Sequence, residues 1–184
     1  MSESSVSSLL ERVSAQCRSV AAAPEKRSIE TNELVWSLPG FGAGTQICTS
    51  FGYLPIEALR RRDPVKTRDG RFLKVQHVDK VMLDRRYLLN NPDAQPISIL
   101  TSGLAANVPN RPTLVSGGLK IRSPGKFDQG SGQLAETYLG LSKVSRKHHG
   151  YFSYYVFHCG VPCTINANGL WVDLDPNIAI SHDD

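Results

Sequence analysis

At 184 residues, 40% of them hydrophobic, the chain is long enough to bury one core and carry a tail. No run approaches the roughly 18 apolar residues that span a bilayer, and Met1-Ser2-Glu3-Ser4-Ser5 lacks the basic start and apolar core of a secretory signal, so a cytoplasmic protein with no membrane partner is expected. The net charge of +4 is a mild basic excess, and the four cysteines (Cys17, Cys48, Cys159, Cys163) lie too scattered for a disulfide framework, which makes free thiols the expectation.

From Val6 the spacing Val6, Leu9, Leu10, Val13, Cys17, Val20 puts one apolar stripe along about four helical turns. Ser5 or Ser8 can cap this helix, and Ala21-Ala22-Ala23-Pro24 ends it, because the residue before proline leaves the helical region. A helix this short needs something to lie against, either the protein's own body or a second chain. Residues 25–32 are charged and polar and read as a linker, so the chain divides into 1–32, a body over 33–180, and a tail over 181–184.

The body reads as β-rich. A glycine-rich turn at 40–44 leads into a strand at 46–49, a turn at Phe51-Gly52, and a hairpin over 65–75. Asp69-Gly70 supplies the positive φ angles that a two-residue turn requires. The second arm runs on toward Val81-Met82-Leu83 as a long bent strand, and 90–93 is a loop by composition. Strands follow at 97–100 and 114–116, then a Gly/Pro/Ser-rich loop over 123–132. Residues 134–141 suit a helical turn or a short strand equally; 152–157 is an aromatic strand, and 162–173 holds two more around Asn166-Ala167-Asn168-Gly169. Short strands at close spacing, with few helical stretches, argue an all-β barrel-like or horseshoe domain.

In the stretch from Gly40 to Gly70, the residues Phe41, Gly44, Thr45, Ile47, Thr49, Gly52, Pro55, Ile56, Glu57, Leu59, Asp63, Val65, Thr67, Asp69 and Gly70 form a register. It resembles the N-terminal block of the Hint (hedgehog/intein) family, in particular its bacterial branch, whose pattern runs roughly C-F-x-x-G-T-x-I-x-T-x-x-G-x-x-P-V-E-x-L-x-x-G-D-x-V-x-T-x-D-G. Gly103-Leu104-Ala105-Ala106-Asn107 through Leu114-Val115-Ser116-Gly117-Gly118-Leu119 resembles the family's second block, and 155–169, with Asp173 beyond it, a third. The resemblance covers about residues 34–178 and implies a Hint-like horseshoe or barrel of short and long bent strands. It also implies which groups should cut the chain. The nucleophilic cysteine falls on Gly40, the histidine of the second block on Leu119, and the Asp and His of the third near Gly160 and Pro162.

An autoprocessing Hint domain attacks its own preceding carbonyl with a thiol or hydroxyl, while the histidine protonates or polarises the scissile amide. Gly40 has no side chain and Leu119 cannot transfer a proton. The expected function is therefore a catalytically inactive Hint domain used as a protein-interaction or regulatory module, with no cofactor and no metal. Its partner is expected to be another protein, or a second copy through Val6, Leu9, Leu10 and Val13. Exposed aromatics (Tyr151, Tyr154, Trp171) are anchors or core.

One alternative is residual autoproteolysis through Cys48, with His77 or His158 as its base; Cys48 otherwise reads as a small buried strand residue. His158-Cys159 and Cys163 make at most a metal half-site, since zinc needs four ligands. The last alternative is weak nucleic-acid binding through Arg60, Arg61 and Arg62 or the run Arg146-Lys147-His148-His149. These clusters read first as solvated faces outside any nucleic-acid-binding motif, so nucleic acid is not the expected partner.

Overall fold

The computed structural model describes residues 38–122 and 132–178. The expected N-terminal helix, with Val6, Leu9, Leu10 and Val13, lies outside the described residues, as does nearly all of the Gly/Pro/Ser-rich loop.

Alternation of apolar and polar residues sets most of the strands. In β1 (Gln46–Thr49) Ile47 and Thr49 point inward, and in β13 (Leu170–Leu174) Leu170, Val172 and Leu174 do the same. β1 pairs with β2 (Gly52–Pro55), β3 (Pro64–Lys66) and β12 (Cys163–Ala167). The large sheet runs from β4 (Phe72–Lys74) through β3, β1, β12, β13 and β8 (Lys120–Arg122) to β9 (Gln133–Leu134), with β2 attached to β1. Asn168-Gly169 closes the β12–β13 hairpin with φ values of 51° and 85°, the pair of positive angles that a two-residue turn demands.

Two smaller sheets complete the body. One is ordered β10 (Val144–Arg146), β6 (Ile97–Ile99), β7 (Thr113–Val115), and the other pairs β5 (His77–Leu83) with β11 (Phe152–His158) along seven residues. Phe41 links them, bridging Val115 on one side and Tyr155 on the other. The core between the sheets holds Phe41, Ile47, Val65, Ile97, Ile99, Val115, Ile121, Phe157, Ile165 and Val172. At about 1.5–3 kcal/mol per fully buried side chain, this is the main term holding the strands together. The architecture is all-β, with a few helical turns.

Two expectations are corrected. The 65–75 hairpin forms, but only Gly70 (φ 84°) is left-handed; Asp69 is not. Gly70 N donates to Thr67 O and Thr67 N to Arg71 O, so the connection is a longer loop with the glycine at its left-handed position. The long bent strand is two strands: Val75 donates to Asp63 O, whereas Gln76 donates to His158 O, so the chain passes from the large sheet to β11 between these residues. A short helix, α1 (Arg85–Asn90), precedes the 90–93 loop and had no clear signal. Asp84 caps it by accepting from Tyr87 N at 2.7 Å, and Leu88 is its buried contact. The open question over 134–141 resolves as β9 followed by a 3-10 turn at Ala135–Tyr138. No helix among the described residues is long and apolar enough to cross a membrane.

Phe41 is fully buried, with its ring centroid 5.9 Å from that of Phe157. Phe41→Ala is expected to cost about 3–5 kcal/mol by chemical denaturation, the range for emptying a buried aromatic site; a loss under 1 kcal/mol would show that the bridge is not structural.

Candidate functional site

The segment carrying Gly40 is held as an extra strand between β7 and β11. Ser116 N donates to Gly40 O at 2.9 Å and Gly42 N to Leu114 O at 2.7 Å. On the other side Phe41 N donates to Tyr155 O at 2.9 Å and Tyr155 N to Phe41 O at 2.8 Å. The Ser116 hydroxyl completes the clamp. It accepts from Gly40 N at 2.8 Å and donates to Leu38 O at 2.6 Å, which fixes both flanks of the Pro39–Gly40 peptide bond.

A side chain at position 40 has no room. An ideal Cβ there would lie 2.8–2.9 Å from Cβ, Cδ1 and Cγ of Tyr154, closer than carbon atoms pack. Tyr154 is itself anchored: its hydroxyl donates to Ala94 O at 3.0 Å, and its ring meets Phe152 edge-on at 4.7 Å. Burial pushes the phenol well above its ordinary pKa, so it stays a neutral donor. Tyr154 is thus core and not an exposed anchor; Trp171 is half-buried and Tyr151 exposed. Leu119, at the position where the resemblance implies a histidine, is fully buried among core residues.

Beside the segment lies a cleft of about 270 Å³ lined by Pro39, Gly118, Lys120, Cys163, Thr164 and Asp173, among others. Asp173 is its polar centre. Its Oδ1 accepts from Arg122 Nε and Thr164 Oγ1, each at 2.6 Å, and its Oδ2 accepts from Gly132 N at 3.0 Å. Burial alone would raise this carboxyl, but the hydrogen bonds from Arg122, Thr164 and Gly132 outweigh it and hold the pKa below the ordinary value. A second cleft, of about 380 Å³, shares Arg122, Cys163 and Thr164 and adds Arg68, Asp69 and Arg71.

The residues weighed as a displaced catalytic set do not gather here. Cys48 lies on the outer face of β1 opposite Tyr53. His77 and His158 stack on each other at 5.5 Å across the β5–β11 ladder. Burial, then the neighbouring His77, lower the His158 pKa, and its Nδ1 accepts from Gly160 N at 3.1 Å. The thiol that lines the cleft beside Pro39 is Cys163. Gly160 and Pro162 flank it in the turn before β12, and neither supplies an acid or a base.

Arg60, Arg61 and Arg62 are exposed where the chain turns into β3. The run at 146–149 is not a free basic face. Arg146 Nη1 donates to Asp93 O at 2.5 Å and Gln95 O at 3.1 Å, and His149 N donates to Gln95 Oε1 at 2.8 Å. Sequence reasoning weighed Tyr154 as an anchor or core residue and Cys163 as part of a metal half-site, but placed neither of them, nor Ser116, beside position 40. Ser116 stood in the second-block match, but nothing local marks Tyr154 as the occupant of a space 114 positions away in sequence.

The family model for the Hint domain matches residues 39–173. Solved structures similar to this chain include the MchDnaB-1 intein (9% identity, TM-score 0.44, covering 73% of this chain and 99% of that one). Another is the gp41-1 intein (14% identity, TM-score 0.42, covering 73% and 97%). No curated protein sequence matches. On the span of the family match, the chain belongs to the Hint domain family.

Two substitutions test the geometry. Gly40→Cys is expected to destabilise by about 1–3 kcal/mol in denaturation, because it drives a side chain into anchored Tyr154; a neutral or stabilising change would show that the space is open. Asp173→Asn is expected to cost about 1–3 kcal/mol near neutral pH. Because the folded carboxyl is held below its unfolded value of about 3.9, its contribution is present above that pH and lost as pH falls through the folded value. The gap between wild type and variant should therefore close in acid; a gap independent of pH would sink this account of Asp173.

Proposed function

We propose that this member of the Hint family no longer cuts its own chain and serves as a protein-interaction module. Tyr154 atoms packed 2.8–2.9 Å from where the first side-chain carbon of a nucleophile would sit are the observation that carries this conclusion. Thioester or ester formation needs a side-chain thiol or hydroxyl next to the Pro39 carbonyl, and position 40 offers neither the atom nor the space. The departing amine needs a proton. The group touching Gly40 N is the Ser116 hydroxyl, a poor acid at neutral pH, and Leu119 supplies no imidazole. Where catalytic groups act as a unit, removing one costs on the order of a million-fold in rate, so losing both leaves the fold without its reaction.

The outer face of the large sheet supports the interaction role. Tyr53, Cys48, Lys66 and Phe72 fall in a row across β2, β1, β3 and β4, with Tyr53 59% and Phe72 50% exposed. Phe51 stands out from the β1–β2 turn, and Arg60, Arg61 and Arg62 are exposed in the loop entering β3. Aromatics and arginine are the side chains that anchor protein interfaces. The partner is another protein, or a second copy through Val6, Leu9, Leu10 and Val13. Free thiols suit the reducing cytoplasm.

One observation favours a second reading. Cys163 shares a cleft with Pro39, so residual cleavage would run through this thiol rather than Cys48.

Intact mass of the full chain, with and without hydroxylamine or added thiol, separates the two. A single uncleaved species is expected under all conditions. Scission at Pro39–Gly40 that disappears in Cys163→Ser would overturn the silent-domain reading. The interaction role is tested by capture of binding proteins with the full chain, a chain lacking residues 1–30, and a Tyr53→Ser/Phe72→Ser variant. Capture that is lost in either altered chain is expected. Identical behaviour of all three would count against a specific surface.

A further inference from the structure

Strand pairing assembles a row on the outer face of the large sheet from residues far apart in the chain. Cys48 lies opposite Tyr53, Thr49 opposite Val65, and Lys66 opposite Phe72, so Tyr53, Cys48, Lys66 and Phe72 follow one another across four strands. At the usual spacing of neighbouring strands the two aromatic residues stand about 14 Å apart, with Lys66 between them. Lys74 shares this face two residues beyond Phe72, and Phe51 is 79% exposed at the β1–β2 turn. The arginine turn is fixed beside the row. Arg62 N donates to Val75 O at 2.8 Å, Arg60 N to Asp63 Oδ2 at 2.8 Å, and Asp63 N to Arg60 O at 3.2 Å. These bonds hold Arg62 at a φ of 74°, a left-handed conformation uncommon outside glycine, and keep Arg60, Arg61 and Arg62 at the Lys74 end of β4.

We propose that this face binds a single strand of nucleic acid, with Tyr53 and Phe72 stacking on bases and Lys66, Lys74 and the arginine turn meeting phosphates. The charge is one-sided: β1, β2, β3 and β4 contain no acidic residue. The carboxylates in their connecting loops are engaged. Glu57 accepts from Gly44 N at 2.6 Å, Asp63 from Arg60 N, and Asp69 from Thr67 and Arg71. A polyanion is the complementary partner. A sheet face offers no helix or ribbon to enter a groove, so the base edges of a duplex stay out of reach. An unpaired strand can splay its bases onto exposed rings, and every base has a face that stacks. An acidic protein would anchor its side chains in pockets, and the residues of this row line neither of the two clefts described above.

The two kinds of contact differ in how they respond to salt. Phosphate contacts release counterions, so their share of the affinity falls as salt rises, whereas stacking on Tyr53 and Phe72 tolerates both salt and sequence. The other basic run takes no part, since Arg146 is committed to Asp93 and Gln95 and β10 belongs to a different sheet. The inference goes beyond the interaction role proposed above and does not rest on it.

The test is fluorescence anisotropy of the full chain with a short labelled oligothymidylate. Binding is expected at low salt, and Tyr53→Ala and Phe72→Ala should each weaken it by about fivefold or more. Lys66→Ala and Lys74→Ala should each lower the slope of log K against log salt by about 0.7, the value for one phosphate contact on a single strand. No binding at low salt, or aromatic variants that bind like the wild type, would overturn the proposal. Equal affinity for duplex DNA would overturn it too. Displacement by polyglutamate at equal charge would assign the face to an acidic protein instead. Acetylation of the wild-type chain gives a reading that needs no variant to fold. Bound oligothymidylate is expected to protect Lys66 and Lys74 but not Lys147, which follows β10 in another sheet; equal protection of all three would count against this face. If the oligonucleotide does not bind while protein capture through Tyr53 and Phe72 succeeds, only this inference is lost and the interaction role stands.

Discussion

The structure depends on one short segment being gripped from both sides. Residues 40–42 pair with β7 through Ser116 and Leu114 and with β11 through Tyr155. Phe41, at the centre, buries its ring in the core that the large sheet shares. Without this segment β7 and β11 would present unpaired edges to each other, and unpaired buried backbone groups are costly. The segment thereby joins the two small sheets.

If the domain is silent, as proposed, the packing around position 40 is the physical reason. An active centre needs a polar, partly open space around the peptide it attacks. Here the space beside Gly40 is taken by Tyr154, and Leu119 is fully buried in the apolar core. Tyr154 carries its one polar atom away from the segment, to the carbonyl of Ala94. The packing around position 40 is complete: Tyr154 fills the space beside the glycine with its hydroxyl satisfied, and Leu119 is buried in the apolar core.

Polarity persists next door, in the cleft around Asp173. A half-buried carboxylate that accepts from a guanidinium, a hydroxyl and a backbone amide is a well-satisfied anion, and it ties β13 to β8 and β12 across adjoining strands. Cys163 sits at the edge of this arrangement, between two clefts rimmed by arginines.

The sequence by itself determined the all-β class and the positions of β1, β6, β7, β11 and β13, because alternation at period two and turn residues such as Asn168-Gly169 are local signals. It also determined that positions 40 and 119 lack reactive side chains, since that needs only residue identity. It misjudged the Asp69-Gly70 turn, passed over α1, and looked to Cys48 for the thiol beside the old site. Which space Tyr154 fills, which hydroxyl clamps Gly40 and which cysteine faces the cleft were decided by tertiary structure alone. Each is a contact between strands far apart in the chain, and strand pairing across such distances is fixed by how the sheets pack together, which no local pattern encodes.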